Sequence, residues 1–220
     1  MKLGLETYTE AGEFIDSDSG EVRAFADETT EGERDAESRA VKLYYAVRDE
    51  ILYDPYYAGE ERRYFRASDC LKAKRGFCIP KAALLAAAAR CVGVLARVGF
   101  ADVRNHLATK RLLELVGSDL FIWHSFTELY LEGRWVKATP AFNLSLCQRF
   151  GVHPLEFDGK SDSLFHEYDQ GGRRHMEYVR ERGSYADVPY DAIIADFKKS
   201  YPRLLAFAAT ARHQEFAKEA

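Results

Sequence analysis

Cys78 is the residue of this sequence best placed to act as a nucleophile. It directly precedes Ile79-Pro80 and an alanine-rich run, and proline is favoured in the first turn of a helix. The sulfur is therefore predicted to lie at a helix N-terminus, where the helix dipole and free N–H groups stabilise a thiolate, the reactive form. Lys74 and Arg75 would favour the same charge. A small, unreactive cysteine of the core is an equally good interpretation of this position alone.

The other three cysteines lack this context and are interpreted as structural: Cys70, Cys91 and Cys147. Cys91 lies at the far end of the predicted helix, about 20 Å from Cys78. No CxxC or HxxxH spacing occurs, so the sequence predicts no metal centre. No GxGxxG or GxxxxGK[ST] motif occurs either, so no nucleotide or flavin cofactor is predicted.

His124 is the candidate general base for this thiol. It lies in an apolar run, Ile122-Trp123-His124-Ser125-Phe126, which predicts a strand. Alternation along a strand places His124 on the face opposite to Trp123 and Ser125. A histidine in such a strand is either a general base or a hydrogen-bonded imidazole of the core, and the strand pattern does not choose between them.

A hairpin after the His124 strand identifies a third position. Glu132-Gly133 is a two-residue turn signal, so Glu128 should lie opposite Lys137 and form an ion pair with it. The same register places Thr139 on the His124 face, diagonal to the imidazole. Diagonal neighbours are about 7–8 Å apart, which is within side-chain reach. We therefore expect an orienting partner for the imidazole at Thr139.

The elements that must position these residues follow from hydrophobic periodicity and turn residues. Helices are predicted at 35–52, 68–74, 78–91, 110–116, 144–150, 190–199 and 201–216, and strands at 94–103, 121–131 and 134–138. Residues 1–33 are acidic and turn-rich, and are expected to form an irregular arm. Helices first and last with an antiparallel sheet between them predict an α+β class. We expect one domain over residues 1–220, with a core at about 35–150 and a polar extension with C-terminal helices at 151–220.

The composition excludes several classes of partner. The 220 residues are 47% hydrophobic and 30% charged, as in ordinary globular proteins, and the formal net charge of −4 favours no nucleic-acid partner. Residues 1–20 carry acids and lack the apolar segment of a signal peptide. The longest apolar run, 82–89, is much shorter than the roughly 20 residues that span a bilayer. We expect a cytoplasmic protein with no membrane partner.

Together, these segments resemble the transglutaminase-like superfamily, whose members share a papain-like core. The similarity covers roughly residues 40–150, and three stretches carry it: Lys74-Arg75-Gly76-Phe77-Cys78, His124-Ser125-Phe126-Thr127-Glu128 and Gly133-Arg134-Trp135-Val136-Lys137-Ala138-Thr139-Pro140. Their order is similar to the superfamily's: a cysteine on a helix, a histidine on the next major strand and an acid that closes the hairpin. The resemblance implies a catalytic helix packed on an antiparallel sheet, a Cys78–His124 pair, a protein or peptide substrate and no cofactor.

The third position departs from the family pattern. Family members usually carry aspartate just before the proline, where this chain has Thr139. A threonine hydroxyl can orient an imidazole, but it supplies no negative charge to stabilise an imidazolium. Asn143 is a candidate substitute, because asparagine fills this role in papain-like proteases. Asn143 is equally suited to be the N-cap of the helix that follows it.

The activity that the resemblance implies is cysteine-dependent amide hydrolysis, by a protease or amidase, or transglutaminase-type acyl transfer to an amine. Hydrolysis is the preferred expectation, by analogy with bacterial members. Two alternatives stay open. The missing acid suggests a catalytically retired fold that binds a protein or peptide. The other alternative is acyl transfer from an acyl-thioester, as in arylamine acetyltransferases.

Overall fold

The structure, a computed structural model, describes residues 4–106, 108–164, 171, 176–210 and 216–219. The described residues form eight α-helices: α1 Gly20–Thr29, α2 Ala36–Glu50, α3 Ala67–Ala73, α4 Cys78–Cys91, α5 Lys110–Val116, α6 Leu144–Phe150, α7 Tyr190–Ser200 and α8 Pro202–Thr210. They also form six strands: β1 Leu52–Tyr53, β2 Arg75–Gly76, β3 Ala96–Asn105, β4 Leu120–Leu131, β5 Arg134–Ala138 and β6 Met176–Tyr185. Short 3₁₀ helices lie at Leu5–Tyr8, Arg62–Tyr64 and Phe216–Glu219. The predicted α+β class is confirmed.

Helix α4 occupies the centre of the fold. Every residue from Ile79 to Arg90 is buried, as expected for an alanine-rich helix that has no polar face. The small side chains allow strands β3 and β4 and helices α1, α2 and α3 to pack closely around it. On the sheet side, the hydroxyl of Thr127 donates to the carbonyl oxygen of Ala82 at 2.8 Å. The predicted buried helix is therefore confirmed.

The main sheet has the strand order β5-β4-β3-β6, and all neighbouring strands are antiparallel. The hairpin register is confirmed, since Glu128 lies opposite Lys137. The ladder ends at Ala138, one residue before the predicted position of Thr139 on the His124 face. Thr139 instead donates its N–H to the carbonyl oxygen of Ser163 at 2.8 Å. None of the helices in the described ranges combines the length and apolar character that a bilayer span requires.

The predicted ion pair between Glu128 and Lys137 is wrong. Glu128 lies opposite Arg97 on strand β3, and its carboxylate pairs with that guanidinium. The ammonium of Lys137 instead lies 3.7 Å from a carboxylate oxygen of Glu181 on β6. The third strand explains the difference, because it gives Glu128 a second cross-strand neighbour that hairpin register alone does not reveal.

The two longest elements that lie where no regular structure was predicted are helix α1 and strand β6. Helix α1 falls within the expected irregular arm and buries only Val22 and Ala26, an apolar stripe too narrow to give a periodic signal. Strand β6 lies in the polar extension, and most of its residues are half-exposed or exposed, as on an edge strand. The predicted helix at 201–216 is represented by α8, and residues 211–215 lie outside the described residues.

A buried arginine, Arg90, lies in the last turn of helix α4. The guanidinium of Arg90 donates twice to the carbonyl oxygen of Ala96, at 3.0 and 2.7 Å, and once each to the carbonyl oxygens of Glu10 and Ala186. Burial lowers the pKa of Arg90 to about 10. These hydrogen bonds join three separate segments of the chain to the end of α4.

A buried lysine lies one turn into the same helix. The ammonium of Lys81 donates to the carbonyl oxygens of Arg48, at 3.0 Å, and Ile51. These carbonyls end helix α2, where the last turn has no intrahelical donors. Burial lowers the pKa of Lys81 to about 7. Lys81 therefore holds the end of α2 against α4.

Replacement of the buried arginine tests its structural role. Arg90→Gln should lower the free energy of unfolding by at least about 3 kcal/mol, because buried carbonyls lose hydrogen bonds to a charged donor. The control is Arg62→Gln, whose guanidinium pairs with Glu13 at 2.8 Å but is 46% exposed. The control should lose less than about 1 kcal/mol. Urea unfolding measures both, and equal losses would contradict the assigned role.

The buried lysine should make stability depend on pH. The pKa of Lys81 in the folded protein, about 7, is below the ordinary value of about 10.4, so the unfolded chain binds more protons above pH 7. Lys81 should therefore raise the free energy of unfolding from pH 7 to about 8.5, by at most about 1.4 kcal/mol per pH unit, and the raised pKa values of the four cysteines reduce the net rise. Lys81→Met should abolish the rise, and Lys72→Met, at an exposed position, should retain it. Urea unfolding at pH 7 and pH 8.5 measures the free energy of unfolding of each protein. If Lys81→Met keeps the rise of the wild type, Lys81 is not its source.

Candidate active site

Cys78 is the first residue of helix α4, and no side chain caps the N-terminus of that helix. Two short parallel strands lead the chain to this point, since Gly76 in β2 pairs with Tyr53 in β1. A Cβ atom at Gly76 would lie 2.9 Å from both the sulfur of Cys70 and a ring carbon of Pro80. Only glycine permits this close approach, which fixes where α4 begins.

Two effects act in opposite directions on the pKa of the Cys78 thiol. The backbone N–H groups of Ser125, Ile79 and Cys78 itself favour the thiolate and lower the pKa of the thiol. Burial acts in the opposite direction and is the larger effect, so the pKa of Cys78 is raised to about 11. The amide groups at the helix start act in the predicted direction, and burial outweighs them. The thiol is protonated at neutral pH.

His124 lies on strand β4, opposite Ala101 of β3, and is only 7% exposed. Burial lowers the pKa of the imidazole to about 4, so the ring is neutral at physiological pH. Within the described part of the chain, its Nε2 atom is buried and has no hydrogen-bond partner. A buried imidazole nitrogen without a partner is unusual. The interpretation of His124 as a hydrogen-bonded core residue therefore has no support at this atom.

The backbone just before His124 is strained. Trp123 has a φ of 59°, in the left-handed region that residues other than glycine rarely occupy. Ala101 pairs with His124 in the ladder between β3 and β4. The next pair joins Val103 to Phe121, so β4 contains one extra residue, a β-bulge. Bulges of this kind change the direction of side chains and are frequent beside active sites.

A network of charged side chains surrounds Trp123. The carboxylate of Asp102 accepts the backbone N–H of Trp123 at 3.1 Å and the Nε–H of Arg182. The carboxylate of Asp196 accepts the indole N–H of Trp123 and an N–H of Arg182, each at 2.8 Å. Strand alternation did not predict this network, because a bulge interrupts the alternation and two members lie in the extension. An acid inside an apolar strand, Asp102, was the available signal.

Neither candidate for the third position bonds to the imidazole of His124 in this structure. The hydroxyl of Thr139 donates to the carbonyl oxygen of Leu164. This follows from the end of the β4–β5 ladder, beyond which Thr139 contacts the 163–164 segment. The expected orienting bond from Thr139 is thus replaced by a bond to the backbone.

Asn143 also uses its side chain elsewhere. Its Oδ1 accepts the backbone N–H of Tyr53 at 3.0 Å, and its Nδ2 donates to the hydroxyl of Ser145 at 2.8 Å. It occupies the N-cap position of α6, but the side chain makes no capping bond. Asp49 accepts the N–H of Leu144 instead, at 2.9 Å. Asn143 therefore connects β1 to the start of α6.

Cys78 and His124 line the same cavity, whose volume is about 110 Å³. The backbone N–H of Ser125, next to His124, also faces the Cys78 sulfur, so strand β4 and the start of α4 meet there. Within the described ranges, no three His, Cys, Asp or Glu side chains converge as ligands for a metal ion. The chemistry available at this site is that of a thiol, a neutral imidazole and backbone N–H groups.

Comparisons with known proteins identify a family and a similar fold. The model of the transglutaminase-like superfamily matches residues 23–140. A candidate cysteine protease from Cytophaga hutchinsonii has a similar fold, with a TM-score of 0.54 and 14% identity over 87% of this chain and 51% of that chain. A candidate protease from Parabacteroides distasonis gives a TM-score of 0.42 and 14% identity over 66% of this chain and 28% of that chain. This chain thus spans about half the length of the first structure. No curated protein sequence matches it.

Removal of one charge from the network beside Trp123 tests its contribution. Asp102→Asn should lower the free energy of unfolding by about 2 kcal/mol, because a largely buried guanidinium loses a charged partner. For a chain of this length the melting temperature should fall by about 4–8 °C. The control is Asp119→Asn, whose half-exposed carboxylate lies 3.2 Å from Arg104. The control should change little; equal thermal shifts would show that the network adds nothing specific.

Proposed function

The chain belongs to the transglutaminase-like superfamily, and from this we propose that it is a cysteine-dependent amide hydrolase with Cys78 as nucleophile and His124 as general base. One observation carries the proposal: the thiol at the start of α4 and the imidazole on β4 line one cavity, and the imidazole Nε2 lacks any partner in the described part of the chain. The similarity to a candidate cysteine protease supports the same class of reaction.

The proposed reaction begins with a neutral thiol and a neutral imidazole. His124 accepts the thiol proton as the Cys78 sulfur attacks the amide carbonyl carbon, and the carbonyl oxygen takes the negative charge. The backbone N–H of Cys78 at the helix start donates to that oxygen. Collapse breaks the C–N bond, His124 returns the proton to the leaving amine, and a thioester remains on Cys78. Water then cleaves the thioester to release a carboxylic acid and restore the thiol.

Hydrolysis is favoured over transfer to an amine by the character of the cavity. None of the residues that line it in the described part of the chain is charged at neutral pH. A protonated amine such as a lysine side chain would lose its hydration there without gaining a partner. Water is uncharged, so its loss of hydration costs less free energy than that of a protonated amine. We therefore place hydrolysis before transglutaminase-type acyl transfer.

A second candidate function has a specific observation behind it. Neither Thr139 nor Asn143 bonds to the imidazole of His124, and among the described residues no carboxylate contributes to the pKa of that ring. In a serine protease, loss of the corresponding aspartate lowers kcat by roughly 10⁴. A catalytically retired fold that binds a protein or peptide accounts for these contacts as well.

Alkylation of Cys78 by iodoacetamide distinguishes the two functions. In the wild type the rate should be independent of pH from about pH 5 to about pH 9, because His124, with a pKa of about 4, is neutral there and accepts the thiol proton as the sulfur attacks; above about pH 9 direct reaction of the thiolate becomes faster. In His124→Gln only the thiolate reacts, so the rate should rise about tenfold per pH unit up to the thiol pKa of about 11. At pH 7 the variant should be at least about 100-fold slower. Mass spectrometry of the Cys78 peptide from pH 4 to 10 gives the rates.

The exposed histidine His153 supplies the matched control. His153→Gln should keep the wild-type plateau. If the wild-type rate rises tenfold per pH unit and His124→Gln has no effect, the proposed Cys78–His124 pair is refuted and the peptide-binding function is favoured.

A further inference from the structure

The wall of the cavity beside Cys78 is almost entirely apolar. Twenty-five described residues line it, and none is an aspartate, glutamate, lysine or arginine. The few polar groups are largely engaged. The hydroxyl of Tyr201 accepts the backbone N–H of Ile122 and donates to the carbonyl oxygen of Leu120, at 3.2 Å for the second bond. A ligand group in this space therefore meets mainly hydrocarbon and aromatic rings, and the polar side chains on the wall are uncharged: the imidazole, the thiols of Cys78 and Cys147, and the side chains of Tyr53, Asn105, Trp123 and Tyr201.

The volume of the cavity limits the size of that group. An engineered cavity of about 150 Å³ with a similar apolar lining binds benzene, and the present cavity is about 110 Å³. One small ring or a short branched chain fits such a space. A long acyl chain or an extended peptide does not.

Much of the wall lies outside the region shared with the superfamily. The family match ends at residue 140, whereas eleven of the lining residues come after it. They include Leu146 on α6, Phe197 on α7, Leu204 on α8 and Phe216 near the C-terminus. The nucleophile thus belongs to the shared core, and the surface that a substrate would meet is supplied partly by that core and partly by residues after 140.

We infer that this cavity holds the acyl half of the substrate, and that this half is a compact, uncharged hydrophobic group such as a branched four- to six-carbon chain or a phenylacetyl group. The inference rests on the proposed function. The acyl half is chosen because it stays bonded to the Cys78 sulfur after the amine leaves, and an apolar cavity beside that sulfur suits the group that remains. The amine half must depart and needs no such site.

Energetics gives this preference a size and a direction. Burial of each CH₂ group contributes enough free energy to raise kcat/KM about fourfold. A carboxylate of similar length would lose its hydration with no cationic partner in the described wall. Acyl groups should therefore be ranked by apolar volume until the cavity is full, and charged groups should be rejected.

Hydrolysis of amides of 7-amino-4-methylcoumarin tests the ranking with one constant leaving group. The acyl series is acetyl, isovaleryl, phenylacetyl, decanoyl and succinyl. Isovaleryl and phenylacetyl amides should exceed the acetyl amide in kcat/KM by at least tenfold, while decanoyl and succinyl amides should not exceed it. In a second arm, acetanilide and N-isobutylacetamide place the apolar group on the amine, and should be no better than N-methylacetamide.

A charged substitution in the wall links the preference to this cavity. Leu204→Glu places a carboxylate on the lining side of α8, and the isovaleryl preference should fall to within about twofold of acetyl. The matched control is Phe207→Glu on the same helix, which is also half-buried but does not line the cavity. The control should keep the preference. If Leu204→Glu does not fold, Ala108→Phe, at a half-buried lining position, should reduce the phenylacetyl rate and spare the acetyl rate.

Binding without chemistry separates this inference from the proposed function. Calorimetry with the Cys78→Ala protein should show that isovaleramide and phenylacetamide bind at least tenfold more tightly than acetamide or succinamate. Such binding by a wild-type protein that turns nothing over would support the cavity assignment and refute the hydrolase. Turnover without an apolar preference, or with a preference that follows the amine half, would overturn the inference and leave the hydrolase standing. Absence of both binding and turnover would overturn both.

Discussion

Helix α4 is surrounded by protein on every side, and the positions of most other elements follow from that burial. Its alanine side chains permit a sheet and three helices to pack closely against it. Two basic residues of the helix, Lys81 and Arg90, are buried with it, and both bond to backbone carbonyl oxygens. Their acceptors end α2, begin β3 and follow β6. The two charges of one helix thereby determine which parts of the chain meet at its ends.

The same burial sets the chemistry at the start of the helix. It raises the pKa of Cys78 and lowers that of His124, and both shifts favour the neutral form. The N–H groups at the helix terminus act against burial and are outweighed. In the proposed reaction, charge would separate only when a carbonyl group is present to receive the sulfur. The helix terminus would then stabilise the developing oxyanion more than a thiolate formed beforehand.

Local patterns in the sequence were sufficient for the elements that the core depends on. The Cys78-Ile79-Pro80 start of α4, its lack of a polar face and the turn at Glu132-Gly133 are signals within a few residues, and all three were interpreted correctly. Contacts between distant segments could not be predicted in this way. Glu128 pairs with Arg97 where a pair with Lys137 was expected, and Thr139 bonds to the 163–164 segment. Segments distant in sequence supply both of these neighbours.

The extension at 151–220 shows how average polarity can conceal a role in the site. Its overall composition is hydrophilic, yet α7 buries Ile193 and Ile194, and Phe197 and Leu205 reach the cavity beside Cys78. A helix needs only one apolar face to line a cavity. Polar residues on its other faces lower the mean hydropathy of the segment without changing that apolar face. Substitutions on these apolar faces would change the shape of the cavity while the N-terminus of α4 stays fixed by Gly76, Lys81 and the buried alanines. The position of the nucleophile is therefore encoded in the core, whereas the shape of the space in front of it depends on both the core and the extension.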